Sequence, residues 1–289
     1  MNKNARVAIA YETLDIMSAG RYTNPKHETV NIGADLRYAV DNTIHYTPDD
    51  FESVFIKRDA LLQEPVAATC TFEVTTESTF GAARRLVVTE GEENVCCLNF
   101  ASAKNPGGGF LGGAQAQEES LARGSGLYAC LQPHMDMYEI NRANRSMLYS
   151  DHMIYSPAVP VFRDDADRLI DTPYQVSIIT TPAVNRGALL NNDPEEEPMI
   201  EPVMLGRIEK LLSLAVINKQ TTLILGAWGC GVFRNRTEDV AAWFAYHLKK
   251  NETFRHAFKH VVFAIYDPSK KQTTKDAFVK EFGHFIPTV

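Results

Sequence analysis

Apolar positions in the first quarter of the chain recur at helical spacing, and from about residue 67 they gather into short runs. Over residues 3–19, Val7, Ile9, Ala10, Leu14 and Met17 fit one helical face, and Gly20 is a natural stop. Thr29-Val-Asn-Ile32 predicts a short strand. Thr47 followed by Pro48 predicts an N-cap and first turn, with that helix ending near Glu64-Pro65. Residues 1–64 therefore read as an N-terminal helical extension, placed to cover one edge of a sheet or to carry a partner site.

From Ala67 strands alternate with helices. Thr71–Thr75 has period two, and Ser78 is set to cap a helix from Thr79 to about Thr89. Val95-Cys-Cys-Leu98 is a buried strand, and a helix is expected near 117–132. Residues 133–150, rich in Met, Tyr and Asn, fit neither period. Tyr155–Phe162 contains Pro157 and Pro160, which predicts an edge or extended segment. Tyr174–Thr180 is a strand ending at Pro182. Asn191–Pro198 reads as an acidic, turn-rich loop. Met199–Asn218 is a helix with Pro202 in its first turn, and Thr221–Leu225 is a strand. Thr237 is expected to cap a helix ending near Lys249-Lys250. His260–Tyr266 is the last clear strand, and 273–283 the last helix. The alternation predicts an α/β fold over residues 65–289, with helices on both faces of a central sheet.

Composition narrows the classes. The formal charge of −7 and pI of about 5.6 argue against a protein that grips polyanions with a basic face, so no DNA binding is expected. The five cysteines, Cys70, Cys96, Cys97, Cys130 and Cys230, include no Cys-x-x-Cys pair, which suits a reducing compartment. No signal peptide and no apolar run near 18 residues is found, so the chain is expected to be cytoplasmic, without membrane contact.

The densest chemistry follows the Val95–Leu98 strand. Gly107, Gly108, Gly109, Gly112 and Gly113 place five of the 17 glycines within one short loop. Glycine reaches positive φ at little cost, so such a loop can turn successive N–H groups toward an anion. Gln117-Glu118-Glu119 then opens a helix. Strand, glycine loop and helix form a phosphate-binding layout, yet neither a dinucleotide fingerprint nor a Walker loop is present. Taken alone, the cluster also fits a glycine-rich surface turn with acids in an ordinary helical first turn.

Gly107-Gly-Gly109 followed by Gln117-Glu118-Glu119, within Asn99-Phe-Ala-Ser-Ala-Lys-Asn-Pro-Gly-Gly-Gly-Phe110, resembles the signature of the microbial-type poly(ADP-ribose) glycohydrolases. Gly226-Ala-Trp-Gly-Cys-Gly-Val-Phe-Arg-Asn235 resembles the second substrate loop of the same family. The resemblance implies a macrodomain-like three-layer α/β/α fold with a mixed sheet. It implies hydrolysis of the ribose–ribose O-glycosidic bond, releasing ADP-ribose from chain ends, without a cofactor and by a monomer. Poly(ADP-ribose) or ADP-ribosylated proteins would be the partners.

By the same resemblance Glu119 is the general acid that later activates water, and Glu118 binds ribose hydroxyls. Neighbours on a helix diverge by about 100°, so the two should not share one task. The diphosphate would lie between Gly107–Gly109 and the backbone of Gly229, Cys230, Gly231 and Val232. Phe233 would press the distal ribose toward Glu119; without the motif it reads as a core aromatic. Asn105 would bond a ribose hydroxyl, with Asn99 as the rival for that role, and Gln117 would bind substrate or bond locally. Thr181–Asn185 could read the adenine edge or be a plain turn, and Trp228 reads as loop packing. His134 and His152 lack ligand spacing, so no metal is expected. Cys230 between glycines invites a nucleophile reading, which the Glu pair makes unnecessary. Alternative functions are a mono-ADP-ribosyl-protein hydrolase, a non-catalytic ADP-ribose reader, which would not need the Glu pair, and an unrelated nucleotide enzyme.

Overall fold

The computed structural model describes residues 1–64, 69–267, 273–283 and 285–286. Pro65 and Ala67, at the expected junction, lie outside them. In chain order the elements are α1 (Lys3–Ala19), β1 (Arg21–Thr23), β2 (Thr29–Asn31), α2 (Gly33–Asp41), β3 (Ile44–Tyr46), α3 (Phe51–Leu61), β4 (Thr71–Thr75), α4 (Thr79–Arg84) and β5 (Val95–Phe100). There follow α5 (Gln117–Gly124), α6 (Leu127–Leu131), α7 (Met135–Ala143), β6 (Met153–Arg163), β7 (Leu169–Thr181), α8 (Arg186–Asn192) and α9 (Ile200–Ile217). The chain closes with β8 (Thr222–Leu225), α10 (Thr237–Ala245), β9 (His260–Ala264), α11 (Thr273–Phe282) and β10 (Phe285–Ile286).

The main sheet of the described residues has the order β10-β4-β9-β8-β5-β7-β6-β3. Its strands from β10 to β7 run parallel, while β6 and β3 are antiparallel to their neighbours. β5 therefore sits between β8 and β7, and the C-terminal ends of all three open on one rim, where ligands of α/β sheets bind.

Strand alternation divides the core. Cys96 and Leu98 face a layer built from α3, α9, α10 and α11. Val95 and Cys97 face a layer built from α2, α4, α5, α6 and α7. Period two carries Asn99 to the second face, under α5. This is the three-layer mixed α/β arrangement expected of a macrodomain-like fold.

Several elements differ from expectation. The helix expected over 117–132 breaks at Ser125-Gly126, where Ser125 is extended and bridges Val161. A Cβ on Gly126 would stand 2.5 Å from Leu36 Cδ1, so α2 packs on the break itself. Tyr155–Phe162 is extended, as one of its two readings had it, within β6; β3 pairs at Met153–Tyr155 and Ser125 bridges Val161 on the same side. A register shift between Ser156 and Val159 takes up Pro157, which cannot donate to a ladder. Residues 1–64 thus supply a strand to the main sheet as well as helices. Asn191–Pro198 is more regular than a loop: α8 ends in it and a 3-10 turn spans Pro194–Met199. Thr237 is the first residue of its helix, and Arg236 holds the cap position without a side-chain bond.

Candidate active site

At the end of β5 the side chain of Gln117 ties helix to strand. Its Oε1 accepts from Phe100 N at 2.9 Å, and its Nε2 donates to Leu98 O at 2.7 Å and Thr79 Oγ1 at 3.0 Å. Gln117 therefore fixes the first turn of α5 on β5 and α4, with both ends of its amide satisfied inside the protein.

That anchor fixes the next two residues. Glu118 is 3% exposed, and its carboxylate accepts from Ser102 N at 2.6 Å and from Asn99 Nδ2 at 3.3 Å. Burial pushes the Glu118 carboxyl up to about 8, opposed by the donors on Ser102 and Asn99 and reinforced by the charge of Glu119. Glu119 is 9% exposed, and its Oε1 accepts from Gly109 N at 2.9 Å.

The glycine loop closes over both carboxylates. Gly108 has φ +61°, and a Cβ there would fall 2.5 Å from Glu119 Oε1 and 3.0 Å from Glu118 Oε2. Gly107 has φ +69°, and a Cβ there would meet the Phe110 ring at 2.9 Å. In this structure the missing side chains of Gly107 and Gly108 thus make room for the acids and for Phe110. Asn105 is exposed and supports the loop through its backbone, its carbonyl accepting from Gly108 N at 3.0 Å. The amide that reaches the Glu pair is the fully buried Asn99, which also donates to Thr180 Oγ1 at 3.2 Å. Between the two asparagines, the structure places Asn99 beside Glu118.

The second loop leaves the adjacent strand β8. A Cβ on Gly226 would meet Phe100 Cζ at 2.9 Å, so the two strand ends touch there. Trp228 is buried and donates from Nε1 to Thr181 O at 3.2 Å, as loop packing requires. Gly229 has φ +73°, and Asn235 N donates to its carbonyl at 3.0 Å. Burial pushes the Cys230 thiol up to about 12, which leaves it protonated and a poor nucleophile. Gly231 is exposed, and Val232 is 82% exposed.

Phe233 is half-buried, with its ring centroid 5.9 Å from that of Tyr149. Tyr149 Oη in turn accepts from Asn185 Nδ2 at 3.3 Å, while Asn185 Oδ1 caps α8 by accepting from Ala188 N at 3.0 Å. Sequence reasoning missed Tyr149, which lies in the stretch that fitted neither period. It also missed the Ser102 N–H, a backbone group with no side-chain signature.

His134 and His152 are not isolated. They gather with His45, whose Nε2 lies 3.1 Å from His152 Nδ1 and whose ring centroid is 5.9 Å from that of His134. Among the described residues no group of three or more His, Cys, Asp or Glu is arranged to hold a metal ion.

Two adjacent acids under a glycine loop, with a second glycine loop from the neighbouring strand, can be compared with known proteins. The description of microbial-type PARG, catalytic domain, matches residues 10–164. Poly(ADP-ribose) glycohydrolase from Thermomonospora curvata is 45% identical, covers 96% of this chain and 100% of its own, and superposes with a TM-score of 0.90. The chain belongs to the microbial-type poly(ADP-ribose) glycohydrolase family. The T. curvata protein bound to the inhibitor ADP-HPD is likewise 45% identical over 96% of this chain and 100% of its own, with a TM-score of 0.88. The Deinococcus radiodurans glycohydrolase in complex with ADP-ribose is 46% identical over 87% of this chain and 98% of its own, with a TM-score of 0.80. No curated protein matches the chain. As a glycohydrolase the protein is a glycosidase, and its mixed sheet and helical layers are those of the macrodomain-like fold.

Proposed function

We propose that this glycohydrolase cleaves the ribose–ribose O-glycosidic bond of poly(ADP-ribose) from the chain terminus, with Glu119 as general acid and then base. The observation that carries the reading is the pair of buried carboxylates held against the glycine loop at the start of α5. Cleavage needs a proton for the departing ribose oxygen and support for positive charge at the anomeric carbon. Glu119 gives its proton to that oxygen as the bond breaks. The resulting carboxylate then takes a proton from water as the water oxygen bonds to the anomeric carbon.

Glu119 Oε1 is held by Gly109 N–H at the start of the helix, which aims the carboxyl along the loop. A diphosphate lodged in Gly107–Gly109 would compete for the loop's N–H groups and bring the substrate up against the acid. Glu118, buried and neutral near pH 7, is suited to hydrogen-bond ribose hydroxyls, with Asn99 and Ser102 N fixing its orientation. The backbone of Gly229, Cys230, Gly231 and Val232, exposed at Gly231 and Val232, would close on the diphosphate from the other side. Phe233, braced by Tyr149, would press on the distal ribose.

The T. curvata protein bound to ADP-HPD and the D. radiodurans protein with ADP-ribose support ADP-ribose as product. A cytoplasmic monomer without DNA or membrane partners completes the reading. Five free thiols suit a reducing compartment, and the acidic pI suits a protein without a basic face for DNA. Incubation with poly(ADP-ribose) and with mono-ADP-ribosylated protein tests it. Free ADP-ribose from polymer, absent with Glu119→Ala, is expected; release from the mono-modified protein alone would make the chain a mono-ADP-ribosyl hydrolase, and binding without release would make it a reader.

A further inference from the structure

The last turn of α5 carries a guanidinium that is completely buried yet faces back toward the glycine loop. Arg123 is 0% exposed. Its Nη1 donates to Ala114 O at 3.1 Å, and its Nη2 to Gln115 Oε1 at 3.0 Å and Ser120 Oγ at 3.4 Å. Its Nε donates to Asp167 Oδ1 at 3.1 Å, in the turn between β6 and β7. The backbone around it is fixed as well, since Thr13 Oγ1 of α1 donates to Arg123 O at 2.8 Å.

Ala114 and Gln115 are the segment that joins the glycine loop to α5. Ala114 N donates to Gly109 O at 3.1 Å. Gly109 N then donates to Glu119 Oε1 at 2.9 Å. The contacts therefore close a ring that starts at Arg123, runs through Ala114 and Gly109, and returns to the same helix at Glu119, one turn earlier. No slack is left at Gly109, where a Cβ would stand 2.9 Å from Ala114 Cβ.

We propose that Arg123 is a positioning residue for Glu119, locking the loop–helix junction so that Gly109 N–H stays aimed at the acid. The proposal rests on the reading of Glu119 as the general acid. A buried ion pair can often be replaced by apolar residues without loss of stability, so stability alone is a weak reason for one. Here two of the donors go to the junction itself, which an apolar side chain could not hold. Geometry at a reacting carboxylate is the property such a fork would protect, because a misplacement of about 1 Å can cost about 10²-fold in rate.

The experiment compares Arg123→Lys, Gln115→Ala, Asp167→Asn and Glu119→Ala, with kcat, KM and the pH–rate profile measured per mole of folded enzyme. Arg123→Lys keeps the charge but loses the fork. It is expected to lower kcat by about 10- to 100-fold with KM within about threefold, and to move the limb of the profile set by the acid. Gln115→Ala removes one partner at an exposed position, so it leaves folding intact and is expected to lower kcat by about threefold or more. Asp167→Asn leaves the junction contacts in place, and asparagine tolerates the positive φ found there; kcat should stay within about twofold. If Arg123→Lys does not fold, Gln115→Ala decides. A lower melting temperature with unchanged kcat and pH profile in the folded fraction would overturn the proposal. Full turnover by Glu119→Ala would overturn the acid reading and the role of Arg123 with it. An inactive Glu119→Ala beside an unaffected Arg123→Lys and Gln115→Ala would overturn the role of Arg123 alone.

Discussion

The two loops that meet at the rim are built in opposite ways. The first, Asn105–Gly113, is tied to Glu119 through Gly109 N and to α1 through Arg6, which donates to Gly113 O at 2.8 Å, and it buries its own Phe110 beneath Gly107. The second is anchored at its ends, by Trp228 Nε1 on Thr181 O and Gly187 N on Phe233 O, and leaves Gly231 and Val232 exposed between them, with Phe233 beside the half-buried ring of Tyr149. On the proposed reading, a shift of an ångström in the first moves the reacting carboxylate. In the second, it moves a surface that the substrate itself would help to seat. The proposed reading thus puts the more tightly tied loop beside the acid and the exposed loop tip where a ligand would enter and leave.

The largest effect should come from the acid beneath the first loop. Glu119→Ala is expected to lower turnover by about 10²- to 10⁴-fold, with ADP-ribose affinity within a few fold; parallel kinetics and calorimetry check it. Gly108→Val should come next. Its side chain would collide with both carboxylates, and φ +61° strains any residue but glycine. Turnover should fall at least about 10²-fold, with binding damaged too; a variant that retains both would break the account of the first loop.

The second loop should respond less. Phe233→Ala removes ring packing worth about 0.5–1.5 kcal/mol, so turnover should fall by about 2- to 12-fold, more than affinity does. An unchanged rate would return Phe233 to a packing role on Tyr149.

The fourth effect is on stability. With a folded value near 8 against about 4.5 for an ordinary carboxyl, Glu118 holds a proton in the folded protein that the unfolded chain releases over that range. Stability from this group is present below about pH 4.5 and is lost as pH rises through about 8. Glu118→Gln should therefore raise the melting temperature increasingly between those values, by about 2–4 °C per kcal/mol for a domain of this class. Thermal melts across that range check the sign; a variant less stable than the parent at pH 8 would contradict it.

Much of this was legible in the sequence, for reasons that can be located. Val95–Leu98 and Thr222–Leu225 show as strands because fully buried parallel strands leave continuous apolar runs, and Thr71–Thr75, buried only at its end, shows by its alternation. The Glu pair and both glycine loops show because their residue types are unusual at that spacing. What stayed hidden depends on contacts between distant segments. Ser125-Gly126 breaks a helix because Leu36 packs there, and Leu36 is far off in sequence. Asn99 shares a face with Val95 and Cys97, so the period of β5 was a usable signal for placing it under α5. Gln117 left substrate binding and a local bond both open, and its contact with Thr79 could not be read from either segment. His45, His134 and His152 come together only because β3 pairs beside β6.

The most direct test of the central claim is a single-turnover assay of purified protein on end-labelled poly(ADP-ribose), with Glu119→Ala alongside. The account predicts ADP-ribose released from the chain terminus by the parent and no release by the variant, which still binds ADP-ribose. Equal release by the two, or loss of binding in step with turnover, would contradict the assignment of Glu119 as the acid.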